Sequence, residues 1–195
     1  MGSPPSTPPE ARAEQGRALP ALLVLLVVLF VTFGGFVVAG ALSQPSGPPV
    51  TVSGALRVSP LSGWALAQRF PDPPGPPGAR FTRGSGNLDV VVAMPFGGDA
   101  QALTRWYVDT MLEPTAERLS VSPEVTHVRL PSGLEAARIH YVGLFGRGEA
   151  PVEGEITAVV SASSVGAVFD AWAPQGLLQF VVGDTRAMVE SAEVS

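Results

Sequence analysis

The side chains equipped for chemistry are few. His127 and His140 are the only histidines, and Glu153 and Glu155, two residues apart, share a face if they lie on a strand. Two imidazoles and a carboxylate suit a borderline metal ion. The same glutamates, with Asp170, could supply a general acid and a general base. If Thr126 to Leu130 and Leu134 to Phe145 pair across a two-residue turn at Ser132-Gly133, His127 faces Arg138, with His140 a diagonal neighbour. That arrangement sets a fixed positive charge between the would-be ligands, and no zinc-type spacing supports them. The plainer reading of Glu153 and Glu155 is the solvated face of a strand. Nucleophilic catalysis has less to stand on. There is no Cys, which removes disulfides, thiolate metal sites and a cysteine nucleophile. No Gly-x-Ser-x-Gly elbow occurs, and the absence of Lys removes a Ser-x-x-Lys pair. Trp64 and Trp172 could line an apolar ligand groove, against the plainer reading of aromatic packing.

These residues are positioned by an architecture set near the start of the chain. From Leu19 to Leu42 there is no charged side chain. As a helix this stretch reaches roughly 36 Å, against roughly 30 Å of bilayer hydrocarbon. Only a helix satisfies its own backbone in lipid when one segment crosses alone, so residues 19–42 read as an uncleaved signal-anchor. Residues 1–18, rich in Pro, Ser and Glu, read as a disordered cytoplasmic tail. Arg12 and Arg17 lie before the helix and the next basic residue is Arg57, so the positive-inside rule puts the remainder outside the cell. Cleavage after Ala41 is the rival, but a signal-peptide core runs about 7–15 residues and this one is longer. Gly35 and Ala39 make a small-xxx-small pair that would let two such helices dimerise. Residues 43–49 form a solvated linker.

The part beyond Leu42 carries ten arginines against fifteen acids, which argues against a nucleic-acid partner. All-Arg basic usage with abundant Ala, Gly, Pro and Val reads as the coding bias of a GC-rich, actinobacterial genome. Residues 50–195 are long enough for one self-sufficient core.

Along that domain, alternation from Val50 to Val58 predicts one strand, and Trp64 to Phe70 a second. Pro71 to Gly78 is a stiff loop. Arg80–Arg83 and Asn87–Met94 form a hairpin across Gly84-Ser85-Gly86. Asp99 caps a helix with Leu103, Trp106, Tyr107 and Met111 inward, ending near Glu113 before Pro114. Val152 to Val160 and Val165 to Trp172 alternate again, and Leu177 to Val189 suits a closing helix. About eight strands, mostly hairpin-linked, with two packed helices make an α+β domain on an antiparallel sheet.

The early strand with Gly63-Trp64, the central helix with Trp106-Tyr107, the hairpin Leu130-Pro131-Ser132-Gly133-Leu134-Glu135-Ala136-Ala137-Arg138, and the segment Phe169-Asp170-Ala171-Trp172-Ala173-Pro174 resemble the PsbP-like fold. That family includes the LpqN/LpqT-type envelope lipoproteins of actinobacteria. The resemblance implies an αβα sandwich and a non-catalytic module that binds a protein or envelope component, without a cofactor. It departs in its anchor, a helix in place of a lipidated Cys. The alternative is an envelope hydrolase or metal-dependent enzyme using His127, His140, Glu153 and Glu155.

Overall fold

A computed structural model describes residues 47–71, 75–146 and 150–195. The expected cytoplasmic tail (1–18), the expected membrane helix (19–42) with its Gly35/Ala39 pair, and most of the expected linker lie outside the described residues. No helix among the described residues is long and apolar enough to cross a membrane.

The alternation that predicts one strand from Val50 to Val58 belongs to a tight hairpin. Strands β1 (Val50–Val52) and β2 (Leu56–Val58) are joined by Ser53 and Gly54, both at positive φ (50° and 70°), and Ala55 N–H donates to the Val52 carbonyl at 3.1 Å. Two consecutive positive φ values make a type I′ turn, whose twist matches that of paired strands. Val50 pairs with Val58 and Val52 with Leu56, so buried side chains keep one face and the period of two runs through the turn. At the chain end, β11 (Glu193–Val194) pairs with β2 and completes a three-stranded sheet.

The main sheet is antiparallel and eight-stranded. It contains β3 (Ala65–Phe70), β4 (Gly78–Arg83), β5 (Gly86–Ala93), β6 (Arg118–Val121), β7 (Thr126–Arg129), β8 (Glu135–Leu144), β9 (Val152–Val160) and β10 (Gly166–Pro174). Their order is β3-β4-β5-β10-β9-β8-β6, with β7 also paired to β8. The central strands β5 and β10 are covered on both faces, which is why each carries long apolar runs, such as Val90–Ala93 and Ala167–Phe169.

Helix α1 (Ala100–Tyr107) starts as its sequence dictates: the Asp99 carboxylate accepts from Ala102 N–H at 2.7 Å. A π turn (Val108–Leu112) and a 3-10 turn (Glu113–Thr115) carry it to Pro114. Helix α2 (Val182–Glu190) follows a 3-10 turn at Leu178–Phe180. The sheet separates two cores. Leu103, Tyr107 and Leu112 pack with Val91, Ile139, Tyr141, Ile156 and Val168 on one face. On the other, Met188 and Val189 of α2 and the small sheet cover Phe81, Leu88, Val90 and Phe169. The layers are helix, sheet, and helix with small sheet.

One register differs from expectation. Thr126 pairs with Arg138 and His127 with Ala137, a slip of one residue. The loop holds three residues, Pro131-Ser132-Gly133, closed by Leu130 N–H donating to Leu134 C=O at 2.9 Å and by Gly133, at φ 85°, donating to Leu130 C=O at 2.8 Å. Glycine at the left-handed position is what a three-residue hairpin loop requires, and an odd loop length moves every side chain of β7 to the other face.

Candidate functional site

Strand pairing sets a row of residues across the α1-covered face: Arg80 opposite Asp89, Asp89 opposite Asp170, Asp170 opposite Ile156, and Ile156 opposite Ile139. Two carboxylates thus stand side by side in the middle of the sheet. A buried charge needs a partner with hydrogen bonds to match. Arg80 supplies one, its Nε and Nη2 donating to the two oxygens of Asp89 at 2.6 Å each. The guanidinium lies against the rings of Phe70 and Trp172, 5.5 and 5.2 Å from their centroids. Donating to the Asp89 carboxylate holds the Arg80 pKa above its ordinary value. Trp172 Nε1 also donates to Asp89, at 3.3 Å.

Asp170 has no such counter-ion. Tyr107 from α1 donates to one of its oxygens and Tyr141 from β8 to the other, each at 3.0 Å. Tyr141 reaches there because Gly154 has no side chain: a Cβ at that position would lie 2.3 Å from the tyrosine ring. Burial first, and then the charge of Asp89, raise the Asp170 carboxyl to about 7, although both tyrosine hydrogen bonds pull it down. Burial, followed by the charge of Asp170, pushes both tyrosine hydroxyls well above their usual value, so they remain protonated donors.

Above this row opens a cavity of about 550 Å³ between the sheet and the segment that follows α1. Phe70, Met111, Leu112, Phe145, Val152 and Trp172 wall it; Arg80, Asp89, Asp170 and the two tyrosines form its floor. An apolar cleft of this size with a few convergent polar groups is the usual form of a small-molecule site. Chemistry is poorly served there. Asp89 is clamped by Arg80, Asp170 is held by two hydroxyls, and Thr115 is the one aliphatic hydroxyl in the lining.

The residues predicted from sequence fall in three places. Trp172 lines the cavity, whereas Trp64 is buried in the opposite core and donates from Nε1 to Asp184 at 3.0 Å, so the two do not share a groove. Glu155 is buried beneath α2 in an ion network: Arg186 grips both of its oxygens, and Arg138 Nε and His140 Nε2 each lie 3.3 Å away. Glu153 accepts from the N–H groups of Gly176 and Leu178, at 2.9 Å each, and so ties down the turn that precedes α2. His127 is exposed and, by its register, lies on the face opposite His140. The four residues of the enzymatic alternative therefore share no cleft. Among the described residues no three His, Asp or Glu side chains gather as a metal site.

Arg80, Asp89, Tyr107 and Tyr141 escape sequence reading as site residues. One signal was present: Asp89 and Asp170 each interrupt an otherwise apolar central strand, and a charge in such a strand demands a partner.

No protein-family model matches the sequence, and no curated protein matches it. Solved structures do resemble it. Cyanobacterial PsbP from Synechocystis matches with a TM-score of 0.56 at 13% identity, over 78% of this chain and 94% of that one. The Ran-binding protein Mog1p of Saccharomyces cerevisiae matches at 0.53 and 11% identity, over 77% and 96%. LpqN of Mycobacterium tuberculosis is a looser match, at 0.43 and 12%, over 76% and 90%. The described domain thus has the PsbP-like fold, an antiparallel α+β sheet carrying two helices.

Proposed function

We propose that this chain is a single-pass membrane-anchored cell-envelope protein, akin to the LpqN/LpqT-type actinobacterial proteins. Its outer domain binds a protein or envelope component and does not transform it. One observation carries the reading: an open, aromatic-walled cavity in which Asp89 is clamped by Arg80 and Asp170 is held by two tyrosine hydroxyls, with no Ser, Cys or His among the described lining residues. Such a floor can orient a ligand but offers no activated serine, cysteine or histidine to attack it. A fold neighbour named for the protein it binds, the Ran-binding Mog1p, fits a binding role. The anchor at Leu19–Leu42 would tether the domain outside the cell membrane, and helix pairing through Gly35 and Ala39 would make the chain a dimer.

The test is a photo-crosslinking residue placed at Met111, on the cavity wall, in the full chain in its own cells. A control carries it at Ser163, in the exposed β9–β10 turn. The expected result is one defined adduct from position 111 and none from 163. Equal labelling from both positions, or none from either, contradicts the cavity as a binding seat.

A further inference from the structure

The charges around the cavity floor select among ligands. Asp170 is faced by Arg80 from β4, Asp89 from β5, Tyr107 from α1 and Tyr141 from β8, with the apolar Ile156 from β9 beside it. Arg80 answers Asp89 through two N–H groups. Among the described residues that leaves one carboxylate without a cation at the base of an apolar chamber. Each carboxylate oxygen can accept two hydrogen bonds, and each oxygen of Asp170 receives one, from a tyrosine. Two acceptor positions and one negative charge remain unanswered.

From this geometry we infer that the cavity takes a ligand with an apolar body and a protonated primary amine, its ammonium seated against Asp170. The inference rests on the cavity being the binding seat and names what that seat selects. The N–H groups of the ammonium fill the acceptor positions that the tyrosines leave, and its charge answers the carboxylate. The rings of Phe70, Phe145, Tyr141 and Trp172 cover the body, and ring faces favour a nearby cation. An anionic ligand fares worse: Arg80, the one guanidinium among the described lining residues, is clamped by Asp89, and the anion would meet two carboxylates. A divalent metal fares worse too, since two carboxylates with no third His, Asp or Glu beside them among the described residues leave most of its coordination unfilled.

The state of Asp170 gives the selection a pH dependence. Its carboxyl stands at about 7 in the empty cavity, so an ammonium finds its partner charged above that value and neutral below it.

The full chain in lipid nanodiscs is titrated with hexylamine, hexanol and hexanoate. Binding is followed by Trp172 fluorescence, taken as the difference from Trp172→Phe. At about pH 8, hexylamine is expected to bind at least about tenfold tighter than hexanol, and hexanoate weakest. Hexylamine affinity should fall about tenfold toward pH 6, while hexanol affinity stays level. In Asp170→Asn the amine and alcohol should bind alike. The wild-type pH profile stands without that variant, should it fail to fold. Hexanol or hexanoate binding as tightly as hexylamine, or a level pH profile for the amine, overturns the amine assignment and leaves the binding seat in place. If none of the three probes binds, the seat itself falls and the amine with it.

Discussion

Asp170 is enclosed, faces Asp89 across one strand spacing, and is raised to about 7, first by burial and then by the charge of Asp89. Because its folded value lies above the ordinary 3.8, the folded state keeps a proton that the unfolded chain releases. Stability therefore falls as pH rises between about 4 and 7, by up to about 4 kcal/mol once both states are ionised. Urea denaturation of the reconstituted chain across that window should show the decline in the wild type and its loss in Asp170→Asn, which keeps both tyrosine partners. Parallel pH profiles would mean that Asp170 is not the group responsible. The sequence marks this residue only faintly. His127, His140, Glu153 and Glu155 attract notice by type, yet His127 is exposed, and the others sit on the sheet face opposite the cavity. The pair that shapes the cavity, Asp89 and Asp170, lies 81 positions apart in number and meets only through the β5–β10 register. No local spacing announces such a pair. What could be read is that each stands alone among apolar neighbours.

At the scale of elements, local chemistry was legible wherever one residue decides. Asp99 caps α1, Pro114 sits at the start of the 3-10 turn that ends the helical run, and the glycine-rich turn joins β4 to β5. It was misleading where parity decides. Period two cannot separate one strand of nine residues from a β1–β2 hairpin with the same face buried. Nor can it choose between a two-residue and a three-residue loop at Pro131–Gly133. The second ambiguity moves His127 across the sheet, which alone dissolves the two-histidine site. The short edge strand β6 and the terminal β11 carry too few residues for alternation to show. The loop assignment makes its own prediction. Gly133 sits at φ 85° with open space around its Cα, so Gly133→Ala should cost about 1 kcal/mol in urea denaturation from left-handed strain alone. The neighbouring Ser132→Ala should change stability by less than about 0.5 kcal/mol. Equal effects at the two positions would remove the left-handed turn and the register it sets.

For the whole molecule, composition supplied the class and the fold neighbours the architecture. The α+β sheet with two helices follows from alternating strands broken by turn residues, and structures at 11–13% identity share it. The proposed anchor at Leu19–Leu42 makes a separate, physical prediction. With no native Cys, a single cysteine at exposed Glu190 should react with a membrane-impermeant maleimide on intact cells, and the product should stay in the membrane through an alkaline wash. Labelling only after lysis would place the domain on the inner side. The central claim is that the domain holds a ligand in the cavity under α1 without altering it. Native mass spectrometry of the full chain, released from its own membrane, tests this most directly. The account predicts a bound molecule on the wild type that keeps its mass on prolonged incubation and is absent from Val152→Trp, where the indole fills the chamber. A molecule retained equally by the filled variant, or converted to a product by the wild type, would contradict it.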